Sequence, residues 1–260
     1  MVNLNENALS ILTKDAPAAL ADAPADYVSD RYTFVPTHKI VTMLSEMGWD
    51  VARARQGSSR VESPEHAPHV VYMRHGDFNH QNFGVGDSVP ELQIHNAHNA
   101  RQNYLIAGGI FRFICTNGMV VGDLNCGIKK VAHRDITFDT IMSQSTEVIS
   151  ETVKASEMVQ SWRKLTPSSD FVRSFAKAAG ELRWIGEQVT PDTVDSLLSV
   201  RRQEDNREDF WTTFNVVQEN LTKGGFRPAG SRRVAREITN IQRDHDINAN
   251  LWNLAMEMAG

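Results

Sequence analysis

Apolar positions along this chain fall into two regimes. Between residues 49 and 122 they come in short runs that are β-branched or alternate with polar residues, and beyond residue 137 they recur every three or four positions. The first spacing is that of strands, whose side chains alternate between two faces, and the second is that of helices with one apolar stripe. The most apolar stretch, YLIAGGIFRFICTNGMVVG at 104–122, contains one Asn117-Gly118 pair. That pair predicts a tight hairpin, because both central residues of such a turn need positive φ. A helix ending at Gly118 is the rival reading, since Tyr104, Gly108, Phe111 and Cys115 also share helical spacing; Gly108-Gly109 in its middle counts against it.

Three more strands precede this one. DVARARQGSSR at 50–60 alternates small or apolar residues with arginines, as a strand with one buried and one basic face would. HVVYMRH at 69–75 is the next. PELQIHNAH at 90–98 puts Leu92, Ile94 and Asn96 on one face, Gln93 and His95 on the other. Before them, Ile40, Met43, Leu44 and Met47 mark one face of a helix that Thr37 caps and Gly48 stops.

Beyond 137 the helices follow in series. Ile141, Val148, Ala155 and Trp162 recur at sevens and predict a long helix over 137–165 that Pro167 ends. Further helices carry Val172 to Ile185, open at Thr190-Pro191, and run from Phe210 to a stop at Gly224-Gly225. Two last ones lie on either side of Asp244-His245-Asp246. The expected fold is therefore α+β: a mostly antiparallel sheet in the N-terminal half with a long helix packed on it, followed by a C-terminal helical layer. Its expected divisions are a flexible arm over 1–30, a sheet core over 31–136 and a helical region packed on the sheet over 137–260.

Composition adds limits. A 41% hydrophobic and 23% charged chain is that of an ordinary folded protein. No apolar run approaches the roughly 18 residues that span a bilayer, and the first 30 residues lack a basic start and apolar middle, so the expected place is the cytoplasm, without a membrane partner. Cys115 and Cys126 are too few for a disulfide framework and read as reduced and structural. The net charge is −5, yet residues 51–136 hold nine cations against seven acids, and seven of the nine histidines.

That span carries the candidate chemistry. His66 with His69, and His95 with His98, invite a metal reading that Asp77, Glu91, Cys115 or Cys126 could complete, but no HExxH or paired CxxC exists. In a strand His95 and His98 would point to opposite faces. They stay weak metal candidates. Ser58, Ser59 and Cys115 lack a nucleophile setting, and GVGDS at 84–88 and GIKK at 127–130 are not phosphate loops, so neither enzyme activity nor a cofactor is expected. What remains is basic and aromatic: Arg53, Arg55, Arg60, Arg74, Arg101, Lys129, Lys130 and Arg134 could follow a phosphate backbone while Tyr72, Phe78, Phe83 and Tyr104 stack bases. GGFRPAGSRRVAR at 224–236 has the same character. The plain alternative is that each is a solvated surface. Arg112, inside the most apolar strand, would need a partner such as Asp123 or Asp135.

FRFICTNGMVVGD at 111–123, IHNAHNARQNY at 94–104, WTTFNVVQENLTKGGF at 211–226 and the tail INANLWNLAMEMAG resemble an uncharacterised family of phage- and plasmid-borne proteins, domain of unknown function 932. The resemblance covers the chain from about residue 33 onward. Its recurrent His, Arg, Cys and Asn map to His98, Arg112, Cys115 and Asn117, and Asn99-Ala100 stand where relatives often carry Asp-Gly. It implies a mobile-element setting and a DNA-processing or anti-defence role, with no established activity. The leading expectation is an ATP-independent binder of single-stranded DNA, of annealing type and forming a homo-oligomer. A phage protein that binds a host defence or replication protein is the second. A metal-dependent nuclease using His95, His98 and an acid is the third.

Overall fold

A computed structural model describes residues 4–57, 64–76, 88–112, 124–131, 138–228, 231 and 233–259. They form an α+β protein: α1 (Glu6–Asp15), α2 (Thr37–Glu46), β1 (Trp49–Gln56), β2 (His69–His75), β3 (Ser88–Asn96), β4 (Tyr104–Arg112), β5 (Leu124–Val131), α3 (Phe138–Trp162), α4 (Ser169–Arg183), α5 (Pro191–Leu197), α6 (Phe210–Lys223) and α7 (Ile241–Ala259). The chain divides into two compact units. One comprises Met1–Phe83, Val89–Gly109 and Cys126–Val153, the other Gly84–Ser88, Ile110–Asn125 and Lys154–Gly260.

In the first unit the strands lie in sequence order, β1-β2-β3-β4-β5, and both β1–β2 and β2–β3 pair antiparallel. The β2–β3 register sets Val71 against Ile94 and Met73 against Leu92 on one face, Val70 against His95 and Tyr72 against Gln93 on the other. Strand alternation thus makes one face apolar and one polar. The apolar face packs with Ile40, Val41 and Leu44 of α2 and with Val148 of the long helix α3. Residues 6–20, expected within a flexible arm, dock there too: Ala8, Leu12, Ala16 and Ala19 are fully buried in the same core, and Ala18 N donates to Gln56 Oε1 at 2.8 Å. Their apolar surface is small, but alanines let the backbone approach closely enough to exclude water.

The edge strand β1 carries a bulge. Val51 opposes Met73, but Arg53, not Ala52, opposes Tyr72. Inserting one residue reverses the alternation, so Val51 joins the apolar face while Arg53 moves to the polar one. Thr37, expected as a cap, is instead the first residue of α2; Pro36 precedes it and no side chain caps the helix.

The second unit is helical. At its centre α6 is buried from Phe210 to Thr222 except at Thr213, and the rings of Trp162, Phe210, Trp211, Phe214 and Trp252 pack with centroids 4.8 to 6.3 Å apart. Two short helices were expected at the C-terminal end; one, α7, runs through Asp244-His245-Asp246, and residues 233–240 are not helical. The polar interruption is paired along the helix: Gln242 Nε2 donates to Asp246 Oδ1 at 2.8 Å and Asn248 Nδ2 to Asp244 Oδ1 at 3.2 Å.

Candidate functional site

Four of the residues expected to meet nucleic acid lie together on the first unit's polar sheet face or along its edge strand, and three of them are committed to one another. Glu91 is 1% exposed. Arg53 Nη2 donates to its Oε1 at 2.8 Å, while Arg74 donates through Nε and Nη2 to Oε2 at 3.0 and 2.9 Å. The Arg53 guanidinium also lies 3.3 Å from the centroid of the Tyr72 ring. Tyr72 is 2% exposed, so it cannot stack a base, and the two arginines neutralise a buried carboxylate before any phosphate could. Arg55 is half-buried on β1, and Arg101 is exposed in the turn after β3. Lys129 and Lys130 lie on β5 by their backbone, and Arg112 on β4. Arg60, Phe78, Phe83, Arg134, Cys115 and Asn117, with the expected Asn117-Gly118 hairpin, lie outside the described residues. Tyr104 is fully buried, which holds its hydroxyl above the usual phenol range.

His98 enters a different cluster, at the end of the sheet. Thr37 Oγ1 lies 2.8 Å from His69 Nε2 and 3.4 Å from His98 Nε2, and it accepts from Asn96 Nδ2 at 3.0 Å. His69 Nδ1 lies 2.9 Å from the Ala67 carbonyl, which leaves Nε2 to meet Thr37. The two imidazoles are 5.1 Å apart, and Phe34 lies edge-on to His98 at 4.9 Å. Burial pulls His69 down to about 4, so it is neutral at physiological pH. Fully buried and joined by hydrogen bonds through Thr37, these groups anchor α2 to β2 and β3. His95, by contrast, sits on the polar face, 3.2 Å from Gln93 Oε1. The structure therefore does not bring His95 and His98 to one point, and among the described residues no three His, Cys, Asp or Glu gather around a metal position. The turn after His98 exists without the Asp-Gly of relatives: Asn99 Oδ1 accepts from Arg101 N at 3.1 Å, and Ala100 takes φ +57°.

The second unit holds a basic surface of another kind, built on the 224–236 run. Gly224 ends α6 with φ +63°, and a Cβ there would overlap the Ala235 carbonyl. Gly225 N donates to Ala235 O, and Ala235 N to Phe226 O, both at 2.8 Å, bringing the two ends of the 224–236 run together. Two arginines clamp its base: Arg183 donates to the carbonyls of Leu221 and Arg236, Arg201 to that of Gly224. Arg227, Arg233 and Arg236 are exposed on the loop, and Arg243 is exposed on α7. Arg183 is pulled down to about 10, first by burial and then by the charge of Arg243. Beside them Trp184 lies edge-on to Phe226 with centroids 5.8 Å apart, and the Arg183 guanidinium is 5.2 Å from the Trp184 ring. Exposed arginines gathered beside aromatic edges form an anion-attracting surface. Arg183 and Trp184 escaped sequence reasoning, since they sit on an ordinary amphipathic helix end far from 224–236 in the chain.

An α+β protein with one buried ionic sheet face and one exposed arginine loop is the class these observations define. Its residues 24–252 match the family described as a domain of unknown function (DUF932), and the chain belongs to that family. It is similar to two Escherichia coli strain K12 proteins, UPF0380 protein YfjQ and UPF0380 protein YafZ. Each is 30% identical over 250 residues, covering 94% of this chain and 88% of the relative. No solved structure matches it. Among the described residues no helix is long and apolar enough to cross a membrane.

Proposed function

We propose that this protein binds single-stranded DNA without ATP, in a mobile-element setting, and that the arginine loop of the second unit is where the strand lies. The observation that supports this reading is the gathering of Arg183, Arg236 and Arg243 beside the Trp184–Phe226 ring pair, with no ion pair to any of the three among the described residues. Guanidinium groups would neutralise phosphates and release counterions, while the aromatic edges would meet bases. Annealing adds a further requirement, self-association of the protein, which light scattering reads.

Fluorescence anisotropy against labelled oligo(dT) and duplex DNA, with and without chelator, tests it. About four neutralised phosphates would lower affinity about 50-fold as salt rises from roughly 50 to 200 mM. Arg236→Glu with Arg243→Glu should weaken binding at least tenfold and flatten that slope, whereas Arg55→Ala with Arg101→Ala should leave both within twofold. Chelator-sensitive binding would favour the metal-dependent reading instead. Absence of binding at low salt sinks the proposal and leaves a host protein as the partner to seek; Val234, exposed at 49% on the same loop, favours that second reading.

A further inference from the structure

We propose that Ile185 is a wedge that enters the base stack of the strand held by the arginine loop, an inference that rests on the DNA-binding reading above. Residues 184–187 form a turn closed by Glu187 N donating to Trp184 O at 3.1 Å, with Gly186 in its third position at φ +79°. Positive φ there is the mark of a type II turn, and glycine supplies it without strain. A Cβ on Gly186 would touch nothing within 4 Å, so the residue serves the turn's dihedral and not a close approach.

The turn holds Ile185 outward. It is 85% exposed, far more than any other large apolar side chain described, the next being Tyr27 at 53%. Isoleucine at such a site forgoes about 2 kcal/mol of burial that a core position would give. Its mounting is rigid: Arg183 is tied to the carbonyls of Leu221 and Arg236, and Trp184 is packed on Phe226. An apolar tip whose base Arg183 and Trp184 join to the arginine loop fits a ligand that is anionic outside and apolar between its layers.

Two polyanions have that character, nucleic acid and an anionic bilayer. One side chain offers too little apolar area to hold a protein on a membrane, where affinity grows with the area inserted. It is enough to fill the gap between two bases, as apolar wedges do when they unstack a step. The strand is therefore the occupant whose size matches.

The test uses full-length protein and a single strand carrying adjacent 2-aminopurines, whose emission rises when they unstack. Bound wild-type protein should raise emission severalfold. Ile185→Ser should lose at least half of that rise, Ile185→Leu should keep it, and all three should share one thermal midpoint. The Ser variant's affinity by anisotropy should fall less than about tenfold, the scale of one lost apolar contact. Wild-type protein that binds without an emission rise, or an Ile185→Ser variant that gives the full rise, overturns the wedge while leaving the DNA-binding reading intact. Failure of wild-type protein to bind at low salt overturns both. Sedimentation with phosphatidylglycerol vesicles that Ile185→Ser abolishes would make the tip a membrane contact and overturn the wedge as well.

Discussion

The two units handle arginine in opposite ways. In the first, Arg53 and Arg74 are largely buried around Glu91, and their charge is cancelled at 2.8 to 3.0 Å. In the second, Arg183 is tied to backbone carbonyls, and the charge of another arginine, Arg243, acts on it. Both regions read as basic stretches in the sequence. The difference lies in the partner: a guanidinium facing a carboxylate is structural and has little field left, whereas one facing carbonyls keeps its full charge and projects it into solvent. A basic run therefore says little about nucleic acid until the positions of the acids are known.

Glu91→Gln breaks the comparison most directly. It leaves two buried guanidinium groups without a counter-charge and should cost about 3–5 kcal/mol in denaturant unfolding. Arg236→Glu in the other unit should leave stability nearly unchanged; equal losses would mean that both regions are structural. Acid sharpens the contrast next. His69 is held near 4 when folded against 6.5 when free, so above pH 6.5 both states are neutral and there is no penalty. Between 6.5 and 4 the unfolded chain takes up a proton that the folded one refuses. Stability should fall by about 3 kcal/mol over that window and level off below it. His69→Gln should flatten the slope by about one proton, and an unchanged slope would refute the assignment. The smallest expected effect is a gain. Ala100 at φ +57° is in the left-handed region that disfavours a Cβ, so Ala100→Gly should stabilise the first unit by about 0.5–1 kcal/mol, read as a higher thermal midpoint. The reverse change at Gly224 should destabilise.

Much of the fold was legible. β2 spans the seven residues read as a strand, α6 begins at Phe210 and ends before Gly224 as expected, and α4 follows its apolar stripe as far as Leu182, whereas Ile185, expected on the same helix, lies beyond its end and is exposed. The heptad positions of α3 that the structure describes, Val148, Ala155 and Trp162, are buried. Other parts were not legible, among them the docked alanines of 6–20 and the polar stretch inside α7. Asp244-His245-Asp246 looked like a break, yet α7 runs through it with His245 and Asn248 buried. Gln93 and His95 share a face as alternation predicts, and both are buried. At the site, Arg53, Arg74 and Tyr72 were named among many basic and aromatic residues, with no sign in the sequence that they meet at Glu91. The 224–236 run was recognised as basic, without Arg183 and Trp184, which reach it only through the fold.

Local sequence determined what local physics can: the periods of strands and helices, the glycines where φ is positive, and a family resemblance that residues 24–252 confirm. Tertiary structure decided which charges remain. A single bulge at Ala52 carries Arg53 from the apolar face to Glu91, and the hydrogen bond between Gly225 and Ala235 brings Arg236 to Arg183 across 53 positions of sequence. Pairing between distant residues sets whether a charge is cancelled or presented, and because electrostatic energy depends on distance in space, no spacing along the chain contains it.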